Sequence, residues 1–185
     1  MSIAGLDPSL TSCGIAVLGA NPARETHIRI LRSVGHPGSD ADDWATRSDR
    51  IVSQAHHVLL ALPRDLELAV IEGPAYGQHM PSTHDRAGLW WGLVAGLRAQ
   101  RIPVAVCAPQ SRAKWITGKG TAKKAEVLAA VREQWPNTRI RNHDEADALG
   151  MACIAAHKRG WTLPFEVKER HTVGLDAVAW PKEIA

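Results

Sequence analysis

No stretch of this chain is apolar for the ~20 residues that a membrane-spanning helix needs. Its start, Met1 followed directly by SIAGLD, has neither a basic run nor a long apolar segment. A membrane span and a secretory leader are therefore not expected, and the chain reads as cytoplasmic. Cysteine is scarce as well: Cys13, Cys107 and Cys153 stand far apart, with no Cys-x-x-Cys pair. That argues against a disulfide framework or a thiolate zinc site and for three buried, reduced thiols. Internal repeats and low-complexity runs are missing. So is a Walker A loop, since Lys119 is followed by Gly120 rather than Ser or Thr, and Ala113 stands where its first glycine would be.

What is there suits one globular domain: 185 residues, 45% hydrophobic and 22% charged. The net charge of +3 is unevenly spread. Residues 98–141 hold ten Lys or Arg against Glu126 and Glu133, a local +8, while the rest of the chain is −5. A basic segment in an otherwise acidic molecule suggests a polyanionic partner, and a solvated basic face explains it equally well.

Three β-rich segments come first, SIAGLD (2–7), GIAVLG (14–19) and HIRILRSV (27–34), and the alternation of the third marks an edge strand. Short links between them favour antiparallel pairing. A helix is expected over 44–62, ended by Pro63, then a buried parallel-type strand, LELAVIEG (66–73). A helix over 83–101, a strand VAVCA (104–108) and helices over 122–134 and 144–159 follow. This order implies an α/β fold of the RNase H-like type, a mixed five-stranded sheet with helices on both faces. The nuclease-like domain is expected to span 1–159, with 160–185 as an irregular extension.

Three acids stand out. Asp7 ends the first strand, Glu72 ends the strand at 68–72, and Asp147 lies among Ala146, Ala148, Leu149 and Ala152. A buried carboxylate without a partner costs several kcal/mol. No obvious Arg or Lys stands beside each of them, so a divalent metal is the expected counter-charge. Asp144 lies three residues before Asp147, on the same helix face. It also suits a helix start, so spacing alone leaves a ligand or a dipole role open. His143, four residues before Asp147, fits a ligand, a proton carrier or a plain capping residue. Oxygen donors without cysteine favour Mg²⁺, with Mn²⁺ as a substitute, over Zn²⁺. Two such ions ~4 Å apart suit phosphodiester hydrolysis.

Four blocks then carry a resemblance: GLDPSLTSCGIAVL (5–18), AVIEGPAYG (69–77), APQSRAKWITGKGTAKKAEV (108–127) and NHDEADALGMACIAAH (142–157). In this order they resemble the RuvC family of Holliday junction resolvases. The resemblance implies four catalytic, metal-binding carboxylates at Asp7, Glu72, Asp144 and Asp147, with two Mg²⁺ per site. It implies a homodimer that makes paired nicks across a four-way DNA junction, leaving 5′-phosphate and 3′-hydroxyl ends. Some relatives carry His where Asp144 is placed. A broader flap or fork endonuclease and a non-catalytic junction-binding module are the other readings, and no partner helicase is indicated. A compact enzyme of this kind also suits a phage, acting in the host cytoplasm.

For DNA binding, the lysine after the glycine-containing loop matches Lys124. A second basic residue of the family falls on Arg112 or Lys114, because the spacing here is one residue longer. Lys119 and Lys123 add charge beside Gly118 and Gly120, where a helix N-terminus offers N–H groups to a phosphate. The resemblance also implies an aromatic just after the strand-end Glu72 that stacks on an unpaired base; Tyr76 lies nearest, and an ordinary loop tyrosine explains it equally well. Gly88, Gly92 and Gly96 form one stripe on a helix. Each costs ~1 kcal/mol relative to Ala, which implies close approach of another backbone. Packing on the chain's own sheet would explain it, and the resemblance favours a C₂ dimer contact.

Overall fold

A computed structural model describes residues 1–74 and 83–184. The strands are β1 (Ser2–Asp7), β2 (Cys13–Ala20), β3 (Thr26–Val34), β4 (Leu66–Glu72), β5 (Val104–Cys107) and β6 (Val178–Ala179). The helices are α1 (Trp44–Leu60), α2 (Thr83–Ala99), α3 (Pro109–Thr117), α4 (Lys124–Gln134), α5 (His143–Lys158) and α6 (Glu169–Gly174). The strands form one sheet in the order β3-β2-β1-β4-β5-β6. β1, β2 and β3 pair antiparallel, β4 joins β1 in parallel, and β5 joins β4 in parallel. β3 is the edge, with alternating exposure along its length.

The sheet has one strand more than the five expected. The extra strand comes from the tail, where Val178–Ala179 pairs antiparallel with β5. Trp161 and Leu163 from the same tail are buried in the core, and the Trp115 indole N–H donates to the backbone oxygen of His171 at 3.0 Å. The tail's apolar residues are spread without a period, which hides this packing from pattern reading. Two helices are also new, α3 and, in the tail, α6. α3 begins with Pro109 at its first turn and ends at Gly118, whose φ of +88° suits glycine.

Strand alternation splits the core in two. Ala4, Leu6, Ala69 and Ile71 face α1 and α2, whereas Ile3, Leu68 and Val70 face α5. α5 is buried along nearly its whole length. Its small residues let its backbone lie directly on the sheet. A Cβ built on Gly5 would come 2.0 Å from the Ala148 carbonyl oxygen, and one on Gly14 would come 2.0 Å from that of Asp144.

On the other face, the α2 glycines do meet a close neighbour, but within the chain. A Cβ on Gly88, Gly92 or Gly96 would face Ile51, Ala55 or Leu59 of α1. Within the chain the stripe therefore seats α1 rather than the sheet. Arg47 and Asp85 lock the same pair of helices with bonds of 3.0 and 2.7 Å. All three cysteines are free and buried. Among the described residues, no helix is long and apolar enough to cross a membrane.

Candidate active site

Period-two alternation decides where the strand-end acids point. Asp7 shares a face with Ile3 and Gly5, and Glu72 shares one with Leu68 and Val70, so both carboxyls project toward α5. The parallel register runs Gly5 to Val70 and Leu6 to Ile71, which sets Asp7 next to Glu72 at the strand ends. α5 answers from above. Its N-cap Asn142 accepts from the Glu145 N–H, so the helix begins just before Asp144. Asp144 and Asp147 then point together into the cleft. All four carboxylates line one cavity of about 420 Å³, with Ser9, Thr11, Arg50, Arg86, Arg112 and Lys124 among its other walls.

The electrostatics combine burial with crowded negative charge that Arg112 offsets only in part. Asp7 is pushed up to about 8, first by burial, then by Glu72 and Asp147, with Arg112 pulling the other way and Asp144 adding a little. Burial also raises Glu72 and Asp147, against the opposing pull of Arg112. The Ser12 hydroxyl donates to Asp144.

The expectation that no basic side chain stands beside these acids is corrected here. Arg112 Nη1 lies 2.6 Å from Glu72 Oε2 and 2.8 Å from Asp147 Oδ2. It sits on the unforeseen helix α3, whose buried face is Arg112, Ala113, Trp115 and Ile116. A buried arginine needs an acidic partner, and no local signal in the sequence marks which one. Among the described residues, no three His, Cys, Asp or Glu side chains are drawn up around a single ion position.

The other candidates separate. Lys124, at the start of α4, lines the cleft, whereas Lys114 and Lys119 line depressions elsewhere on the surface. Lys123 caps α4, its N–H donating to Glu126 at 2.7 Å. His143 is turned toward the Lys124 carbonyl oxygen, 3.1 Å from Nδ1, and is not among the residues lining the cleft. Glu145, adjacent to Asp144, is buried and accepts from the Arg141 N–H, closing the helix start. Tyr76 lies outside the described residues. Arg50 and Arg86 were not anticipated; they come from helices distant in sequence, and only the fold brings them to this cleft.

An RNase H-like sheet with acids at the ends of two central strands and on the late helix defines a class of phosphodiester-cleaving proteins. No family model matches the chain. Among curated proteins, it is 32% identical over 162 residues to the crossover junction endodeoxyribonuclease RuvC of Sphingopyxis alaskensis, covering 86% of this chain and 99% of that one. It is 34% identical over 161 residues to that of Rhodococcus opacus, covering 82% and 79%. The chain belongs to the RuvC family of crossover junction endodeoxyribonucleases. In fold it is similar to RuvC of Thermus thermophilus, with a TM-score of 0.67 at 23% identity over 89% of this chain and all of that one. The yeast mitochondrial Holliday junction resolvase also shares the fold, with a TM-score of 0.54 at 13% identity over 94% of this chain and 81% of that one.

Proposed function

We propose that this chain is a Mg²⁺-dependent, structure-selective endonuclease that resolves four-way DNA junctions by paired nicks. One observation carries the reading: acids from β1, β4 and α5 share a single cleft that is also lined by arginines and Lys124. The site has the donor chemistry for a hard cation. Four carboxylates face one interior guanidinium, and Asp7 is raised first by burial and then by the neighbouring Glu72 and Asp147. Asp7, Glu72, Asp144 and Asp147 would hold Mg²⁺, two ions per site, or Mn²⁺ in its place. Held by these four carboxylates, such ions would supply Lewis acidity toward an attacking water and charge stabilisation for a leaving oxygen.

The chain's own groups do the rest. Lys124 and the cleft arginines bind and orient the phosphate, and Ser12 holds Asp144 in place. The water oxygen bonds to phosphorus as the P–O3′ bond breaks, giving a 5′-phosphate and a 3′-hydroxyl. Lys114, Lys119 and Lys123 act further out, as electrostatic contacts to the junction arms, and Tyr76 stacks on a base at the crossover. Trp161, Leu163 and the strand Val178–Ala179 support counting the tail after 159 as part of the same nuclease domain.

Paired nicking needs two sites, and a homodimer supplies them with the two-fold symmetry of the junction. Because the α2 glycines are engaged by α1, the surface for the second subunit is the outer side of that helical pair, where Trp91 and Val52 are 65% and 64% exposed.

The test is cleavage of end-labelled four-way junction, flap, fork and linear duplex in Mg²⁺, beside Asp147→Asn. Symmetric nicks confined to the junction support a resolvase. Cutting of every branched substrate supports the broader endonuclease. Binding without cleavage supports a junction-binding module. If Asp147→Asn cuts as well as the wild type, the site is wrongly assigned.

A further inference from the structure

The interior arginine of the cleft is held unlike any ordinary structural ion pair. Arg112 is 7% exposed, and Nη1 approaches both Glu72 and Asp147. Yet Nη1 and Nε of Arg112, and Oε2 of Glu72, make no aligned hydrogen bond. Arg47 offers the contrast within the same chain, for it grips Asp85 through two directed bonds from Nε and Nη2. A guanidinium paired for structure uses its fork in that way. Arg112 shares one nitrogen between two carboxylates and closes a two-pronged fork on neither.

The stem of Arg112 is nonetheless fixed. Its backbone N–H donates to Ala108, its Cγ passes Gly150 of α5, and its neighbour Trp115 is buried and bonded to the tail. A rooted side chain with an unlatched head can release its partners without moving α3.

We propose that Arg112 is a built-in counter-cation that competes with divalent metal for Glu72 and Asp147 and thereby sets the metal affinity of the site. This rests on the reading of the four carboxylates as metal ligands. Without metal, the guanidinium offsets part of the charge that would otherwise push the acids apart. When metal enters, the guanidinium gives up Glu72 and Asp147, and the lost ion pairs subtract from the affinity. The same exchange leaves a freed arginine head beside the cleft. Removing the arginine removes the competitor, so the metal-free protein becomes less stable and its hold on metal becomes tighter. A purely structural arginine predicts the opposite for affinity, because its loss would disorder the ligands.

The experiment is a titration of the full-length protein with Mn²⁺, reading free Mn²⁺ by electron paramagnetic resonance, for wild type, Arg112→Met, Arg112→Lys and Asp147→Asn. Arg112→Met is expected to bind Mn²⁺ about tenfold more tightly. It should also melt at a lower temperature without metal and gain more from saturating Mn²⁺ than the wild type gains. Arg112→Lys, whose ammonium is a point charge without the fork, is expected to fall between the two. Unchanged or weaker binding by Arg112→Met overturns the proposal. If that variant does not fold, unchanged or weaker binding by Arg112→Lys overturns it equally. If wild type shows no Mn²⁺ site that Asp147→Asn removes, the reading of the carboxylates as ligands fails first, and that result is independent of any Arg112 variant.

Discussion

The two faces of the sheet use glycine in opposite ways. Under α5, Gly5 and Gly14 remove side chains from the sheet so that helix backbone can rest on strand backbone. Between α1 and α2, Gly88, Gly92 and Gly96 meet the tips of side chains, most of them at ordinary distances. Backbone cannot yield and side-chain tips can, so the first face is rigid and the second tolerant. The rigid face carries the acids. Their mutual placement depends on how closely α5 sits, and the chemistry lies where the packing has least slack.

The largest expected effect tests the rigid face through its chemistry. Asp147→Asn should lower the rate of junction cleavage by about 10³-fold, since a lost metal ligand forfeits several kcal/mol of transition-state stabilisation. Equal cutting by the variant would separate the acids from the activity.

Next is Gly5→Ala. The added methyl meets the Ala148 carbonyl oxygen and the Ala152 nitrogen, so α5 must lift. A loss of about 3 kcal/mol is expected, with a fall in melting temperature of about 6–12 °C. Cleavage should fall with it, because Asp144 and Asp147 move away from Asp7. A variant with unchanged melting temperature would show that the face has slack after all.

Asp7→Asn should stabilise the metal-free protein at pH 8. The carboxyl is raised to about 8 in the fold by burial, then by Glu72 and Asp147, from an ordinary value of 3.8. Between those two pH values the folded chain binds more protons than the unfolded one, so stability falls as pH rises. That contribution to the decline should disappear in the variant when thermal melts are followed from pH 4 to 8 in a chelator. A steeper decline would contradict the assigned charge crowding.

The smallest effect tests the tolerant face. Gly92→Ala places its methyl 3.6 Å from the Ala55 Cβ, an ordinary contact. Better helix propensity should then stabilise the chain by up to about 1 kcal/mol in a denaturant titration. A loss of similar size would make the two faces alike.

Much of this fold can be read along the chain. The first three strands, the β4 run ending at Glu72 and the late helix follow from alternation, apolar runs and capping residues, and the structure places them within one or two residues of expectation. α3 was not legible, because it is short and its buried face contains an arginine. Nor was β6, two residues long and set only by its neighbour β5.

In the cleft, Asp7, Glu72 and Asp147 were legible, since a carboxylate at the end of an apolar strand or within a small-residue helix is out of place locally, whereas Asp144 suited a helix start equally well and was marked out by the family resemblance. Their cation was not. Arg112 meets Glu72 across 40 residues of chain and Asp147 across 35, and no local pattern encodes such a meeting. The glycine stripe shows the same limit: its spacing announced a close neighbour and was silent on which one. By itself, then, the sequence determined which residues are costly to bury and which helix faces must be covered, because those are properties of single elements. Only the tertiary structure decided which charge answers which and which surface covers which, because pairing depends on register and layer order that no element carries alone.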